Sequence, residues 1–264
     1  MDVANLTTKA KITWCPGCPN SQILVAFRKA VTELVENNTL KIEELAAFSG
    51  IGCHGKITDY INVNSFTSLH GRLIPSMTGS KCANPALTVV GFSGDGDSYS
   101  EGLAHLIHAA KRNSDINLFV HDNQVFALTT GQADAMSPKG FKGKSTPFGS
   151  IEEPFNPLKI MLSVGATFVA RTYAGDIAGT KNIMQKAIAH KGFSYVDIIQ
   201  PCITFFDTRD YFKDRVYWID DNFPTNDLKQ AIEKVSEKTD EKTSLGIFYE
   251  VEKPTFEEQL YQPL

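Results

Sequence analysis

Hydrophobic positions along the chain fall into two alternating patterns. Residues 21–35 place Ile23, Leu24, Ala26, Phe27, Ala30, Val31 and Leu34 at spacings of three and four, which predicts an amphipathic helix that Asn20 or Ser21 could cap. Residues 87–92, LTVVGF, are a continuous apolar run, the signature of a buried parallel strand. It leads into SGDGDSYSEG and a helix over about 101–112, then a second apolar strand, INLFVHD, at 116–122. Weaker repeats follow: a strand at 167–174, a helix at 182–190, a strand at 193–202 that ends on a cysteine, a charged helix over 225–238 and a last strand at 244–252. Residues 61–85 read as loop, short helix and turn. Strands alternating with helices predict an α/β fold, a mostly parallel sheet with helices on both faces. Ligands then belong beyond the C-terminal ends of the strands, where the acidic glycine turn, Asn123 and Cys202 all fall.

Residues 133–158 stand apart, with Pro138, Pro147, Pro154, Pro157, several glycines and little periodicity. A loop of this length is either functional or a surface excursion.

Composition narrows the function classes. The 264 residues suit one large domain, with 42% hydrophobic and 21% charged residues and a net charge of -4. No basic stripe marks a nucleic-acid surface. No segment approaches the ~18 apolar residues of a membrane helix, and the N-terminus, MDVANLTTKAKI, lacks the features of a leader. A cytoplasmic protein without membrane or nucleic-acid partners is expected. Five cysteines (15, 18, 53, 82 and 202), in a reducing compartment, favour metal or redox work over a disulfide framework.

Two constellations carry chemistry. In GFSGDGD, 91–97, the glycines allow a sharp turn whose N–H groups and following helix suit a phosphate. An acid inside such a turn calls for a counter-charge, which a divalent cation bridging Asp95 to a diphosphate would supply. Asn123 ends the next strand 28 residues later and would share the sheet edge with Asp95. The bland alternative is a tight turn followed by a turn-forming Asn. The second constellation is C-x2-C at 15 and 18 with distant Cys53 and Cys202, all in turn segments. Four thiolates could hold Zn²⁺ or a [4Fe–4S] cluster. The dispersed spacing leans toward the cluster without deciding it.

GDG with Asn after 28 residues resembles the diphosphate motif of thiamine-diphosphate enzymes. The stretch from Gly94 to Gln132, together with SLHGRLIPSMTGSKCANP, WCPGC, GIGC and the late PC, resembles the β subunit of 2-oxoacid:ferredoxin oxidoreductases over nearly the whole chain, from Ile12 to about Glu257. The resemblance implies a single thiamine-diphosphate-binding domain over 1–264, with the cysteine-bearing segment 12–56 packed onto it. Asp95, the Asn123 side chain and the Val125 carbonyl would hold Mg²⁺. Gly96 and Asp97 would contact the diphosphate. Gly52, Cys53, His70, Gly71, Gly94, Ala127, Leu128 and Thr129 would complete the cofactor site, and Thr78, Gly79 and Lys81 would shape a loop beside it. Cys15, Cys18, Cys53 and Cys202 would ligate a [4Fe–4S] cluster.

His70, His54 and Lys56 are the candidate catalytic side chains. His54, where the family often has a small hydroxyl residue, is either a donor to cluster or substrate or a partly exposed turn residue. Lys56 either binds an anion or is a plain surface lysine. Pro19 departs from the family's usual glycine, and Cys82 reads as a buried small hydrophobe rather than a ligand. The implied reaction is oxidative decarboxylation of a 2-oxoacid with coenzyme A, giving acyl-CoA and CO2, with electrons leaving through the cluster to ferredoxin. A partner α subunit would supply the pyrimidine-binding half of the site. The alternatives are a non-oxidative thiamine-diphosphate decarboxylase, which needs no cysteines, and a zinc-stabilised assembly subunit, which needs no thiamine.

Overall fold

A computed structural model describes residues 6–237 and 242–261. The first five residues of the N-terminal segment and the last position of the helix expected over 225–238 lie outside the described residues. Among the described residues, eight strands form one sheet in the order β2-β1-β3-β4-β6-β5-β8-β7. They are β1 (Leu45–Ser49), β2 (Asn64–Thr67), β3 (Thr88–Gly94), β4 (Asn117–Asp122), β5 (Phe168–Tyr173), β6 (Ser194–Ile199), β7 (Val216–Trp218) and β8 (Thr243–Glu250). Neighbours pair in parallel except β5 with β8. The apolar runs at 87–92 and 116–122 become the adjacent central strands β3 and β4, buried on both faces.

The helices are α1 (Asn20–Glu36), α2 (Leu73–Ala83), α3 (Leu103–Arg112), α4 (Pro157–Val164), α5 (Ile177–Ala189), α6 (Arg209–Lys213), α7 (Leu228–Ser236) and α8 (Phe256–Leu260). One core lies between the sheet and α1 with α5, the other between the sheet and α2, α3, α4 and α7. In the first, Phe27 of α1 meets Phe92 of β3 edge-on at 4.9 Å. Fully burying such a ring contributes roughly 1.5–3 kcal/mol. Helix α1 ends where Asn38 turns left-handed (φ 61°), a conformation asparagine tolerates.

Three expectations need correction. Neither Asn20 nor Ser21 caps α1. Pro19 starts the helix without a side-chain cap, and the Asn20 side chain turns into the protein. Residues 78–81 form no loop beside the glycine turn. They lie on α2, which runs back along the sheet, so Lys81 ends at the opposite edge and pairs with Asp115 at 2.7 Å. The Pro-rich stretch 133–158 is irregular as expected until Asn156, whose side chain caps α4 with Pro157 in its first turn. No helix among the described residues is long and apolar enough to cross a membrane.

Candidate functional site

The parallel pairing of β3 with β4, in register at Gly94 and His121, brings Asp95 and Asn123 to one sheet edge. Asp95 is 2% exposed. Its Oδ1 accepts the Gly96 N–H at 2.9 Å and its Oδ2 the Asn123 N–H at 2.9 Å. The Gln124 N–H also donates to Oδ2, because Gln124 adopts a left-handed conformation (φ 62°) that aims successive amides at one point. Asn123 Oδ1 accepts the Val125 N–H at 3.2 Å, closing the turn. Burial, then Asp134 and Asp122 nearby, holds the Asp95 carboxyl well above the ordinary carboxylate range. Asp122 Oδ1 and Asp134 Oδ2 are buried without partners. This concentration of acid wants a cation, so the donor set fits a hard divalent ion at Asp95, Asn123 and the Val125 carbonyl.

After Asp95 the chain winds into a π-helical turn, Gly96–Glu101, a widening frequent at functional sites. The turn directs Asp97 inward. Its Oδ1 accepts the Gly71 N–H at 2.8 Å and meets His70 Nδ1 at 3.1 Å, and its Oδ2 accepts the Ser93 hydroxyl at 2.8 Å. Asp97 therefore acts on the cleft by placing Gly71 and His70. The cleft holds about 60 Å³ and is lined by Gly52, Cys53, His54, His70, residues 94–97, Asn123 and residues 125–129. A pocket that encloses a drug-sized ligand spans ~300–1,000 Å³, so the cleft is smaller than such a pocket.

His54 is neither partly exposed nor at the surface: it is 5% exposed, with Nε2 3.8 Å from Asp97 Oδ2. Room for the ring comes from glycine, since a Cβ on Gly52 or Gly94 would fall 2.7 Å from the imidazole. Burial lowers the His54 pKa from 6.5 to about 4, against the opposing pull of Asp97. A base depressed on folding contributes stability that is present above the unfolded value and lost as pH falls. Cofactor-free chains should thus lose up to about 3 kcal/mol through His54 between about pH 6.5 and 4, and His54→Gln should flatten this limb relative to wild type. Parallel denaturant titrations across that range would show it, and identical pH profiles would refute it.

Four cysteines from three chain segments surround one neighbouring cavity of about 210 Å³: Cys15, Cys18, Cys53 and Cys202. The Cys15–Cys18 turn is closed by the Cys18 N–H donating to the Cys15 carbonyl at 3.0 Å. The Trp14 indole donates to the Cys53 carbonyl at 2.7 Å and ties the segments together. Cys202 follows β6, where Phe205 N–H donates to its sulfur at 3.4 Å. Burial pushes the Cys53 thiol up to about 11 and raises Cys18. Such thiols deprotonate when a metal takes them. No group of three or more His, Cys, Asp or Glu that could hold a metal ion forms among the described residues. Each iron of a cluster takes its own cysteine, and four cysteines lining one cavity fit that demand.

The two sites share walls. Cys53, Asn123, Ala127 and Leu128 line both the cleft and the cysteine cavity. Lys56 borders the cysteine cavity, with its ammonium donating to the Thr13 carbonyl at 3.3 Å. Cys82 lies elsewhere, half-buried beside Glu257 on the far side of the sheet rather than fully buried. Sequence reasoning missed His121, whose Nδ1 is 2.7 Å from Asn20 Oδ1. The pair is 101 residues apart, and no local pattern joins them.

Comparison with known proteins gives the family. Residues 50–198 match the family described as thiamine pyrophosphate enzyme, C-terminal TPP binding domain, and residues 202–263 match the family for the C terminal of the pyruvate ferredoxin oxidoreductase beta subunit. The 2-oxoacid:ferredoxin oxidoreductase 1, subunit beta, of Aeropyrum pernix is 38% identical, across 98% of this chain and 85% of that protein. The corresponding subunit beta of Saccharolobus solfataricus is 39% identical, across 90% and 82%. A solved structure of 2-oxoglutarate:ferredoxin oxidoreductase from Magnetococcus marinus superposes with a TM-score of 0.93 at 34% identity, covering 98% of this chain and 88% of that one. The chain belongs to the 2-oxoacid:ferredoxin oxidoreductase family, as a beta subunit.

Proposed function

We propose that this chain holds the diphosphate end of thiamine diphosphate, with Mg²⁺, beside a [4Fe–4S] cluster, and oxidises a 2-oxoacid with coenzyme A to acyl-CoA and CO2. One observation carries the reading: the acidic turn and the four-cysteine cavity share a wall. Neither a cluster-free decarboxylase nor a zinc-bearing assembly subunit needs that adjacency. Asp95, Asn123 and Val125 would hold the metal, Gly94 and Gly96 make room at the turn for the His54 and Phe126 rings, and Cys15, Cys18, Cys53 and Cys202 would ligate the irons. Bound thiamine supplies the electron sink for decarboxylation, and a cluster supplies one-electron steps toward ferredoxin.

The chain's own side chains set the stage. Asp97 fixes His70 at the cleft and anchors the neighbouring Gly71 amide. His54, held neutral by burial, offers an unpartnered Nε2 there without adding charge. Lys56 places a cation at the mouth of the cysteine cavity, where it suits a substrate or coenzyme anion. Gly52, Ala127, Leu128 and Thr129 line the cleft's sides. The small cleft supports a site completed by an α subunit, and the free thiols suit the reducing cytoplasm.

The test is anaerobic purification with the α subunit, followed by iron, sulfide, magnesium and thiamine analysis of one sample. About four irons and four sulfides per chain, with thiamine diphosphate present, are expected. One zinc with neither sulfide nor thiamine would establish the assembly reading instead.

A further inference from the structure

The cysteine cavity contains more than its thiols. Asn20, 1% exposed, and Gln200, 2% exposed, both line it. Gln200 Nε2 lies 3.9 Å from Cys18 Sγ. Asn20 Nδ2 is buried with no partner, although its own Oδ1 is taken by His121 Nδ1 at 2.7 Å. The reverse amide orientation would bring a carbonyl oxygen toward a thiolate, which is repulsive, so the His121 contact fixes the amide with its N–H groups toward the cavity. On the outer side the Thr204 hydroxyl donates to Cys15 Sγ at 3.4 Å, and the Phe205 amide donates to Cys202 Sγ at 3.4 Å. Three of the four cavity cysteines are thus faced by donors from α1 or from the segment after β6.

Reducing an iron–sulfur cluster adds negative charge to the cluster and its thiolates. Donors already aimed at those sulfurs stabilise the reduced form more than the oxidised form and raise the potential. We propose that Asn20, Gln200, Thr204 and the Phe205 amide set the reduction potential of the cluster, with His121 as the positioning residue that aims Asn20. The proposal rests on the cluster reading above. It assigns His121 a function at a distance: buried beneath the sheet edge, it meets the cluster only through Asn20. A higher potential makes the cluster a readier acceptor from the thiamine side and a weaker donor to ferredoxin, so these side chains bias the direction of electron flow.

The experiment uses the assembled holoenzyme. Iron and sulfide are measured per chain, and the midpoint potential is then read by electron paramagnetic resonance during a redox titration. Thr204→Val, an exposed near-isosteric change, and Asn20→Ala should each lower the one-electron equilibrium constant for reduction about tenfold, which is about 59 mV. His121→Phe should reproduce the Asn20→Ala shift, and His121→Gln, which keeps a donor for Asn20 Oδ1, should restore most of it. Should Asn20→Ala or His121→Phe not fold, Thr204→Val decides the matter. Thr204→Val, Asn20→Ala or His121→Phe with full iron and sulfide and an unmoved potential overturns the proposal. A wild-type holoenzyme without iron or sulfide overturns the function reading instead.

Discussion

Asp95→Asn should abolish binding of magnesium and thiamine diphosphate while leaving the fold in place. The wild-type carboxylate accepts three backbone N–H groups, from Gly96, Asn123 and Gln124, and still has lone pairs for a metal. An amide replaces one acceptor with an NH2 group facing those donors and removes the charge that draws the cation. Substitutions behind a metal ligand cost ~10–100-fold in affinity, so loss of a ligand should cost at least ~100-fold. At a cofactor concentration of one hundred times its Kd, wild type gains about 2.7 kcal/mol from binding, and the variant should gain almost nothing.

The fold should tolerate the change for an electrostatic reason. The Asp95 pKa is raised on folding by burial and by Asp134 and Asp122. Stability from an acid raised in this way is present below its unfolded value and lost as pH rises through the folded one. At neutral pH the cofactor-free wild type bears that cost, and the neutral amide removes it, offsetting the lost hydrogen bonds. Thermal melts with and without Mg²⁺ and thiamine diphosphate provide the measurement. A normal ligand-induced shift in the variant would remove Asp95 from the metal site.

Cys202→Ser should strip the cluster and reduce 2-oxoacid-dependent ferredoxin reduction by more than ~100-fold, without affecting the thiamine-induced thermal shift. Cys202 is 8% exposed, and its sulfur is positioned by the Phe205 amide and the Cys202–Phe206 bridge. Serine retains the shape but offers iron a hard, reluctant oxygen in place of a thiolate. Cys202 does not line the acidic cleft, so the two losses should separate cleanly. Metal analysis showing four irons in the variant would move the cluster elsewhere. The pair of variants tests opposite sides of one assembly, the first emptying the thiamine site and the second the electron exit.

The strands that carry the acidic turn were legible because burial on both faces leaves an unbroken apolar run, as in β3 and β4. Strand β1 is equally buried, but its five residues, LAAFS, are too short and alanine-rich to stand out. All four residues of β2 are exposed, so it has no apolar signature at all. Helix α4 was hidden because Pro157 reads as loop chemistry, whereas in a first turn it is helix chemistry. At the site, Asp95 and Asn123 were legible because a strand-end spacing fixes their meeting. The burial of His54 was not, since the space for its ring is left by Gly52 and Gly94, which lie on different segments. The Asn20–His121 contact depends on α1 crossing the sheet, which no window of sequence contains.

The shared wall has a consequence for how such a chain can diversify. Cys53, Asn123, Ala127 and Leu128 line both cavities, and on the proposed function each would answer to two ligands at once. A side chain enlarged there to suit a new substrate would intrude on the redox centre, and one trimmed to suit the redox centre would open a gap beside the thiamine. These positions are doubly committed and leave little freedom for retuning. Freedom lies instead at exposed positions outside both walls, such as Leu69, which is 76% exposed next to His70, and on the surface that completes the cleft. New substrate preferences should therefore be acquired from the outside inward, with the partition between the two chambers the last part to change.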